Sequence, residues 1–227
     1  MIALVRVLRR SETFLSILLG SGLAVASAFV LNRYEESQTK LAAWQIVSSQ
    51  IAQNHDRLEK DRPIVAQNME AFGAQGHGFT IEIPRKLQDS GYRIVTERAL
   101  IDLYPGDQGK LNDYYSAVDN YNGDCALISQ FVANWWIPDD ARFTARMRSF
   151  YRSINSEASI LETRNDGTAE YVSGQITHLE KVVGRYRHIA AGLAFIGFAI
   201  LAAFVVSISG ASRLEDQDHF RQVLEQL

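Results

Sequence analysis

The side chains best suited to chemistry in this chain are a few histidines, some acidic residues and one cysteine. His55, Asp56 and Glu59 lie in a segment with helical period, so His55 and Glu59 share a helix face, four residues apart. A metal centre needs further ligands, and the chain has no His-x3-His or His-Glu-x-x-His spacing. We therefore predict no metal site and interpret this face as solvated.

Two further candidates for chemistry are also better explained by structure. His77 lies in "GAQGHG", but a glycine-rich phosphate cradle follows a strand and precedes a helix, and that order is absent here. Cys125 lies in a row of residues spaced by seven, which favours a packed thiol over a nucleophile, and a single cysteine excludes an intramolecular disulfide. No Ser-His-Asp or paired-carboxylate arrangement can be assembled. We predict a protein that is not an enzyme and has no cofactor.

Two long apolar stretches stand out from the rest of the chain. "TFLSILLGSGLAVASAFVLN" has 20 uncharged residues between Glu12 and Arg33, and "IAAGLAFIGFAILAAFVVSISGAS" has 24 between His188 and Arg213. About 20 apolar residues cross a bilayer as a helix, so both stretches predict transmembrane helices. The alternative for the first stretch is a signal peptide cleaved at Ala26-Ser27-Ala28. Its apolar run continues past that point, which favours the transmembrane helix.

The basic residues around the first stretch predict the topology. Arg6, Arg9 and Arg10 precede it, and basic residues are enriched on the cytoplasmic side of membrane spans. The flanks of the second stretch favour the opposite orientation, but the first span usually dominates. We predict a multi-pass protein of the bacterial inner (plasma) membrane. Its parts are a cytoplasmic N-terminus (1–12), a first transmembrane helix (13–32), an extracytoplasmic helical domain (33–188), a second transmembrane helix (189–211) and a short cytoplasmic tail (212–227).

Small residues recur every four positions in both spans. This spacing lets helices approach closely in lipid, so the stripes predict packing of span 1 on span 2 or of one protomer on another. Neither span contains an ionisable residue, which counts against a proton path, an ion carrier or a voltage sensor. The predicted packing residues are Ser16, Gly20, Ala24 and Ala28 in span 1, and Ala199 and Ala203 in span 2.

The region between the spans is nearly balanced in charge, with 18 Lys and Arg against 21 Asp and Glu. Nucleic-acid binding needs a basic face, so we predict no nucleic-acid partner. The predicted partners are the lipid bilayer and either another protein or further copies of this chain.

After span 1 the chain keeps a helical period. One apolar stripe consists of residues spaced by seven: Trp44, Ile51, Leu58, Val65 and Phe72. The companion stripe contains His55 and Arg62 and is only half apolar. Pro63 lies inside the pattern, and we predict a kinked continuous helix, with a break at "KDRP" as the alternative. "GAQGHG" is predicted to end this helix.

Three short elements are predicted next. "FTIEIP" indicates an extended segment. Pro84 opens "PRKLQDSG", which predicts a helical turn or two with Gly91 as C-cap. "TERALIDLYPG" predicts a further short helix that stops at Pro105-Gly106.

The clearest heptad pattern begins at Leu111. Two interleaved rows of residues, each spaced by seven, predict a packed helix seam typical of coiled coils. The seam residues are Leu111, Tyr114, Val118, Tyr121, Cys125, Ile128, Val132 and Trp135. The predicted fold class is therefore all-α, with two transmembrane helices flanking an antiparallel helical bundle with coiled-coil-like packing.

The residues after the seam predict a helical hairpin and a contact with the bilayer. A helix from Asp139 to about Thr163 is followed by "RNDGT" (164–168), which is typical of a turn, and then by a helix that runs into span 2. Pairing of these two helices would bring "NWWIPDD" (134–140) down to the outer membrane face. We predict that Trp136 and Ile137 contact that interface, where Trp is enriched. The alternative is that both tryptophans pack in the bundle.

The stretch "EIPRKLQDSGYRIVTERALIDLYPGDQGKLNDYYSAVDNYN" (82–122) resembles a pattern in uncharacterised bacterial membrane proteins with an N-terminal span, an extracytoplasmic helical region and a second span. The shared elements are Leu-x-x-Ser-Gly at 87–91, the turn at 100–103, Leu-x-x-Tyr-Tyr at 111–115 and Asn122. This resemblance implies an architecture and no activity. The layout is also similar to the sensory half of chemoreceptors, although only "RLEDQDHFRQVLEQL" follows span 2.

These observations predict a non-enzymatic membrane protein, a sensor, scaffold or accessory subunit whose extracytoplasmic bundle binds a partner. The alternative is a membrane-permeabilising effector of the toxin or phage-defence type, in which the small-residue spans oligomerise.

Overall fold

In the computed structural model, the described part of the chain is helical apart from one extended segment. The structure describes residues 2–72, 81–97, 105–135 and 141–224. Within these, side chains are described at 18–72, 81–97, 109–134, 141–203, 205 and 206.

Four α-helices are present in these ranges, and no strand is. They are α1 (Ile2–Ala71), α2 (Ser90–Glu97), α3 (Pro105–Trp135) and α4 (Ala141–Leu224). The long helices α1, α3 and α4 pack on a shared apolar core, so the predicted all-α class is confirmed.

Helix α1 is continuous through Pro63 and ends at Ala71, just before the glycine-rich segment. The break predicted as an alternative at "KDRP" is therefore absent. Pro63 itself is exposed, whereas Leu58 and Val65 on either side of it are buried in the core. Their packing offsets the backbone hydrogen bond that a proline removes, which is how an internal proline is tolerated. Beyond the helix end, Arg148 donates to the carbonyl of Phe72 from Nε at 2.9 Å and also from Nη2.

Helix α4 is also continuous, and the turn predicted at "RNDGT" is wrong. The three-to-four spacing of buried residues runs on from Leu161 through Thr168 to Val172. The Thr168 hydroxyl donates to the carbonyl of Arg164 at 2.8 Å, and Arg164 Nη1 donates to the carbonyl of Asp113 in α3 at 2.6 Å. Continued burial outweighs the low helix propensity of this stretch, which amounts to about 1 kcal/mol for its glycine.

The helical hairpin predicted on either side of that turn does not exist. The bilayer contact predicted for Trp136 and Ile137 rested on the hairpin geometry. Both residues, and the side chain of Trp135, lie outside the described part of the structure. The bilayer contact stays a prediction, but the hairpin geometry no longer supports it.

The short elements between α1 and α3 also differ from the prediction. Residues 81–89 are extended throughout, and α2 begins at Ser90, so "PRKLQDSG" is not a helical turn and Gly91 is not a C-cap. Pro105 begins α3, which fits the preference of proline for the first position of a helix. Of the helix predicted over "TERALIDLYPG", Thr96 and Glu97 belong to α2, and 98–104 lie outside the described residues.

The chain divides into two compact units. We call residues 39–180 the bundle unit, and residues 1–38 with 181–227 the apolar unit. In the bundle unit α1 and α4 run antiparallel, as the ring contacts Trp44–Tyr171 (5.6 Å) and Phe72–Tyr151 (5.7 Å) show. Its core is continuous across all four helices.

In the apolar unit, α1 and α4 make contact through only part of their surfaces. Val30 of α1 is buried, and a Cβ added to Gly197 of α4 would lie 3.2 Å from Leu23 Cδ2. The small residues predicted to pack the spans point elsewhere: Gly20, Ala24, Ala28, Ala199 and Ala203 are exposed, and the side chain of Ser16 is outside the described set. The described approach of Leu23 to Gly197 lies outside these stripes, and packing of span 1 on span 2 through the stripes stays a prediction. Packing between protomers stays a prediction.

Among the described residues, one helical segment is long and apolar enough to cross a membrane, by length and composition. It is Ala141–Ala203, whose most apolar window has a mean hydropathy of 1.5 and is 0% buried.

Candidate functional site

The bundle unit holds an extended segment, residues 81–89, which we call the strap. Polar side chains of α1 bind its main chain, three of them at a spacing of seven. Asn54 makes two hydrogen bonds with Gln88, donating to its carbonyl at 2.9 Å and accepting from its N–H at 2.6 Å. The other two of these three make single contacts: Asp61 accepts from the Arg85 N–H at 2.7 Å, and Asn68 donates to the Glu82 carbonyl at 2.8 Å.

These contacts form a regular ladder because two periods match. Asn54, Asp61 and Asn68, the polar row, are spaced by seven, which is about 10.5 Å along an α-helix. Their strap partners are spaced by three, at 88, 85 and 82. Three extended residues span about 9–10 Å. Each heptad of α1 therefore advances by the same distance as three residues of the strap, running in the opposite direction.

Helices α3 and α4 bind the strap as well. Asn122 of α3 makes two hydrogen bonds with Leu87, accepting from its N–H at 2.7 Å and donating to its carbonyl at 3.0 Å. The hydroxyl of Tyr151 in α4 donates to the Glu82 carbonyl at 2.8 Å. The strap is thus held by three helices at once.

Burial makes these polar contacts energetically important. Asn54 is 0% exposed and Asp61 is 2% exposed, so neither can turn to water. A buried donor or acceptor without a partner costs about 1–3 kcal/mol. The polar row and the strap main chain satisfy each other, and removal of either would leave the other unpaired.

Four apolar strap residues face the core. Pro84 and Leu87 are buried, and Ile81 and Ile83 are partly buried against the core. The main-chain groups of an extended segment make no hydrogen bonds within it and so remain available to partners. The strap therefore anchors itself by apolar side chains and binds by its main chain.

The strap leads into α2 at a point of close approach. A Cβ added to Gly91 would lie 2.7 Å from Ile46 Cγ2 and 2.8 Å from Gln50 Nε2, so only glycine fits without movement. Gln50 Oε1 accepts from the Tyr92 N–H at 3.1 Å and from the Tyr115 hydroxyl at 3.3 Å. The rings of Tyr92 and Tyr115 stack with centroids 3.9 Å apart. This contact fixes α2 on α1 and α3.

A surface cavity of about 240 Å³ lies beside the Tyr92–Tyr115 stack. Arg93 bridges two carboxylates across it, at 2.8 Å from Asp89 and 3.0 Å from Asp119. The hydrogen bond to Asp119 and the charge of both aspartates raise the pKa of Arg93. Both carboxylates pair with the Arg93 guanidinium. The arrangement is therefore explained by a structural role, the link between α2 and α3.

The groups that could act as nucleophiles are shielded. Burial raises the pKa of the Cys125 thiol to about 12, so the reactive thiolate is scarce at neutral pH. Burial likewise raises the pKa values of Tyr121 and Tyr151. His55 Nε2 lies 3.5 Å from Glu59, and no cluster of three or more potential metal ligands occurs in the described ranges.

The predicted seam on α3 lies in the core of the bundle unit. Val132 is partly buried, and the side chain of Trp135 is not described. The other six seam residues are at most 1% exposed: Leu111, Tyr114, Val118, Tyr121, Cys125 and Ile128.

The polar row is the part of the site that the sequence analysis missed. It placed His55 and Arg62 in the companion stripe of α1, whereas the Arg62 side chain is 72% exposed. The row that faces the core lies one residue earlier, at Asn54 and Asp61. The signal was present, since Val47, Asn54, Asp61 and Asn68 repeat every seven residues in phase with the apolar stripe.

The chain matches no family model, no curated protein and no solved structure. The resemblance of residues 82–122 to two-span membrane proteins therefore stays a prediction.

Proposed function

We propose that the chain is a two-span protein of the bacterial inner membrane whose bundle unit lies outside the cytoplasm and binds a partner, as a sensor, scaffold or accessory subunit without enzymatic activity. The observation that carries the proposal is the exposure of large apolar side chains in the apolar unit. The segments concerned are 18–31 in α1 and 189–206 in α4.

The exposed apolar side chains cluster strongly. Of the large hydrophobic residues that are exposed in the described ranges, all but Ile46, Ile94 and Leu127 lie in those two segments. Phe195 is 74% exposed and Val206 is 71% exposed. Soluble monomers rarely expose contiguous apolar patches of more than a few hundred Å². A lipid environment covers such a surface at no cost, and this supports membrane insertion of both helices.

The orientation follows from the basic residues before span 1. Arg6, Arg9 and Arg10 favour a cytoplasmic N-terminus, and two spans then place the bundle unit outside. A polar row inside the apolar core binds an extended main chain, and the described nucleophiles are shielded, which supports a binding role over a catalytic one.

A thiol-labelling experiment tests this topology. Cys125 is buried with a raised pKa, so the wild-type chain should stay unlabelled by a membrane-impermeant maleimide. Ala52→Cys, at an exposed position of the bundle unit, should be labelled in intact spheroplasts. The matched variant Gln217→Cys, in the predicted cytoplasmic tail, should be labelled only after lysis. The reverse pattern would show that the bundle unit is cytoplasmic and would refute the proposal.

A second candidate function is a membrane-permeabilising effector. The observation that favours it is that Gly20, Ala24 and Ala28 are exposed, so this face of α1 can approach a second copy closely in lipid. Expression should then collapse the membrane potential, and Gly20→Leu with Ala24→Leu should restore it. An unchanged potential on expression of the wild-type chain excludes this candidate and leaves the partner-binding proposal standing.

A further inference from the structure

The groove that holds the strap recognises main chain. We define the groove by Asn54, Asp61 and Asn68 of α1, Asn122 of α3 and Tyr151 of α4. Each hydrogen bond that these side chains make to the strap ends on a main-chain N–H or carbonyl. Arg57 adds one more, from Nη1 to the Lys86 carbonyl at 2.8 Å.

The pattern of donors and acceptors identifies the chemical class of the occupant. Asn54 and Asn122 each bind the N–H and the carbonyl of a single residue, so each reads a complete peptide unit. Asp61 needs an N–H, whereas Asn68 and Tyr151 need a carbonyl. An extended polypeptide supplies this alternation at the required spacing, whereas an anion or a cation would satisfy only part of it.

The side-chain requirements of the groove are few. Pro84 and Leu87 fill buried positions, and Ile81 and Ile83 pack against the core. Arg85 and Lys86 are exposed. In recognition of extended peptides, main-chain hydrogen bonds supply affinity and a few side-chain pockets supply specificity. The groove fits that division.

We propose that the groove is the binding site for an extended segment of a partner protein, with apolar residues just before a proline and a leucine three residues after it, and that the strap is its built-in occupant. The partner segment replaces the strap hydrogen bond for hydrogen bond, so the exchange leaves no buried group unpaired. This inference rests on the proposed partner-binding function and names the chemistry of that partner.

The strap and the partner segment compete for the same groove, and the strap has the advantage because it is part of the same chain. A tethered segment acts at an effective concentration of about millimolar. A free peptide therefore binds the wild-type chain weakly, and a partner succeeds when it too is presented at high local concentration, as confinement to one membrane provides. Emptying the groove of its own strap should reveal the intrinsic affinity.

The test uses the full chain in detergent micelles and a fluorescent peptide of residues 81–92, IEIPRKLQDSGY. The variant Pro84→Ser with Leu87→Ser weakens the strap and keeps the groove intact. The matched control, Arg85→Ser with Lys86→Ser, changes exposed strap residues only. By fluorescence anisotropy, the peptide should bind the first variant about tenfold or more tightly than the control or the wild type, because their own strap competes.

Two further measurements decide the outcome. Adding Asn54→Ala and Asn122→Ala to the first variant should abolish peptide binding, and a peptide carrying serine for both its proline and its leucine should not bind. If the first variant does not fold, hydrogen exchange on the wild-type chain replaces it. The Arg85, Leu87 and Gln88 amides should then exchange faster with saturating peptide.

Three results would overturn the inference. They are absence of peptide binding to a folded first variant, equal binding of the serine peptide, and unchanged exchange of the strap amides. A further result would also refute the inference: the wild-type chain forms a stable complex with the first variant, while the peptide does not bind. That result would assign the groove to a second copy of this chain. Because the assay is done in micelles, its failure leaves the thiol-labelling test of topology unaffected.

Discussion

Replacing Ile128 with aspartate is expected to unfold the bundle unit. Ile128 is 0% exposed at the centre of the α3 seam. A carboxylate there would be buried without a partner. The free-energy cost of removing it from water, or of protonating it, would reduce the free energy of unfolding. We expect a loss of about 3–5 kcal/mol in the free energy of unfolding, measured by chemical denaturation in detergent.

The adjacent residue provides a matched control for this change. Leu127 is 48% exposed, so Leu127→Asp makes the same chemical change one position along the same helix. Its effect should stay within about 0.5 kcal/mol, as for most surface substitutions. If the two aspartate variants were equally stable, the heptad assignment of α3 would be wrong.

Replacing Asn54 with leucine is expected to destabilise the bundle unit nearly as much, although it places an apolar residue of similar size in the core. The change removes two hydrogen bonds to Gln88 and leaves its partly buried N–H and carbonyl without a partner. At about 1–3 kcal/mol for each unpaired group, we expect a loss of about 2–5 kcal/mol, measured by thermal or chemical denaturation.

The comparison for Asn54→Leu is Gln53→Leu. Gln53 is exposed on the same turn of α1 and donates to the Ser49 hydroxyl at 3.1 Å. The Gln53 variant should be close to wild type, and the strap amides should exchange faster in the Asn54 variant alone. A stabilised Asn54→Leu protein would show that the polar row is dispensable and that the core prefers an apolar residue there.

The α3 seam could be predicted because its signal is local. Both of its rows, such as Leu111 to Cys125 and Tyr114 to Ile128, lie within one helix, and the seven-residue spacing needs no knowledge of the partners. The same holds for the two apolar stretches and for the helix that crosses Pro63, whose phase is unchanged on both sides.

The polar row could not be predicted in the same way. Asn54 and Gln88 are 34 residues apart in sequence, and Asn122 and Leu87 are 35 apart. Without the strap, polar residues in a seam suggest a weak seam or a shifted one. The role of the polar row follows from the strap, an extended segment whose main-chain groups need hydrogen-bond partners inside the bundle unit.

Tertiary packing also overrode the local turn and cap signals. "RNDGT" has the composition of a turn. It is nevertheless helical, because Leu161, Thr168 and Val172 are buried on one face of a continuous helix. Gly91 looked like a helix end, yet its lack of a side chain serves close approach to Ile46 and Gln50. In both cases the contact that decides comes from another helix.

The segment that carries the resemblance to two-span membrane proteins, 82–122, contributes many parts of the strap site. Leu87 is buried in the core, Gly91 lets α2 approach α1 closely, and Asn122 of α3 accepts a hydrogen bond from the strap main chain. Each has a physical role in folding of the bundle unit. These roles account for the residues on which the predicted resemblance rests, and that resemblance implies an architecture and no activity.

The match between helix and strap periods limits how this chain can change in length. One residue inserted into α1 between Asn54 and Asp61 would rotate everything beyond it by about 100°. It would also shift the polar row by about 1.5 Å against a strap that repeats every three residues. Insertions there keep the ladder in register only in blocks of seven, each accompanied by three residues in the strap and by seven in α4, which packs on α1 on both sides of this point. Related chains of different length should therefore differ by such matched blocks in α1, the strap and α4, whereas single-residue length changes should be confined to segments outside this ladder.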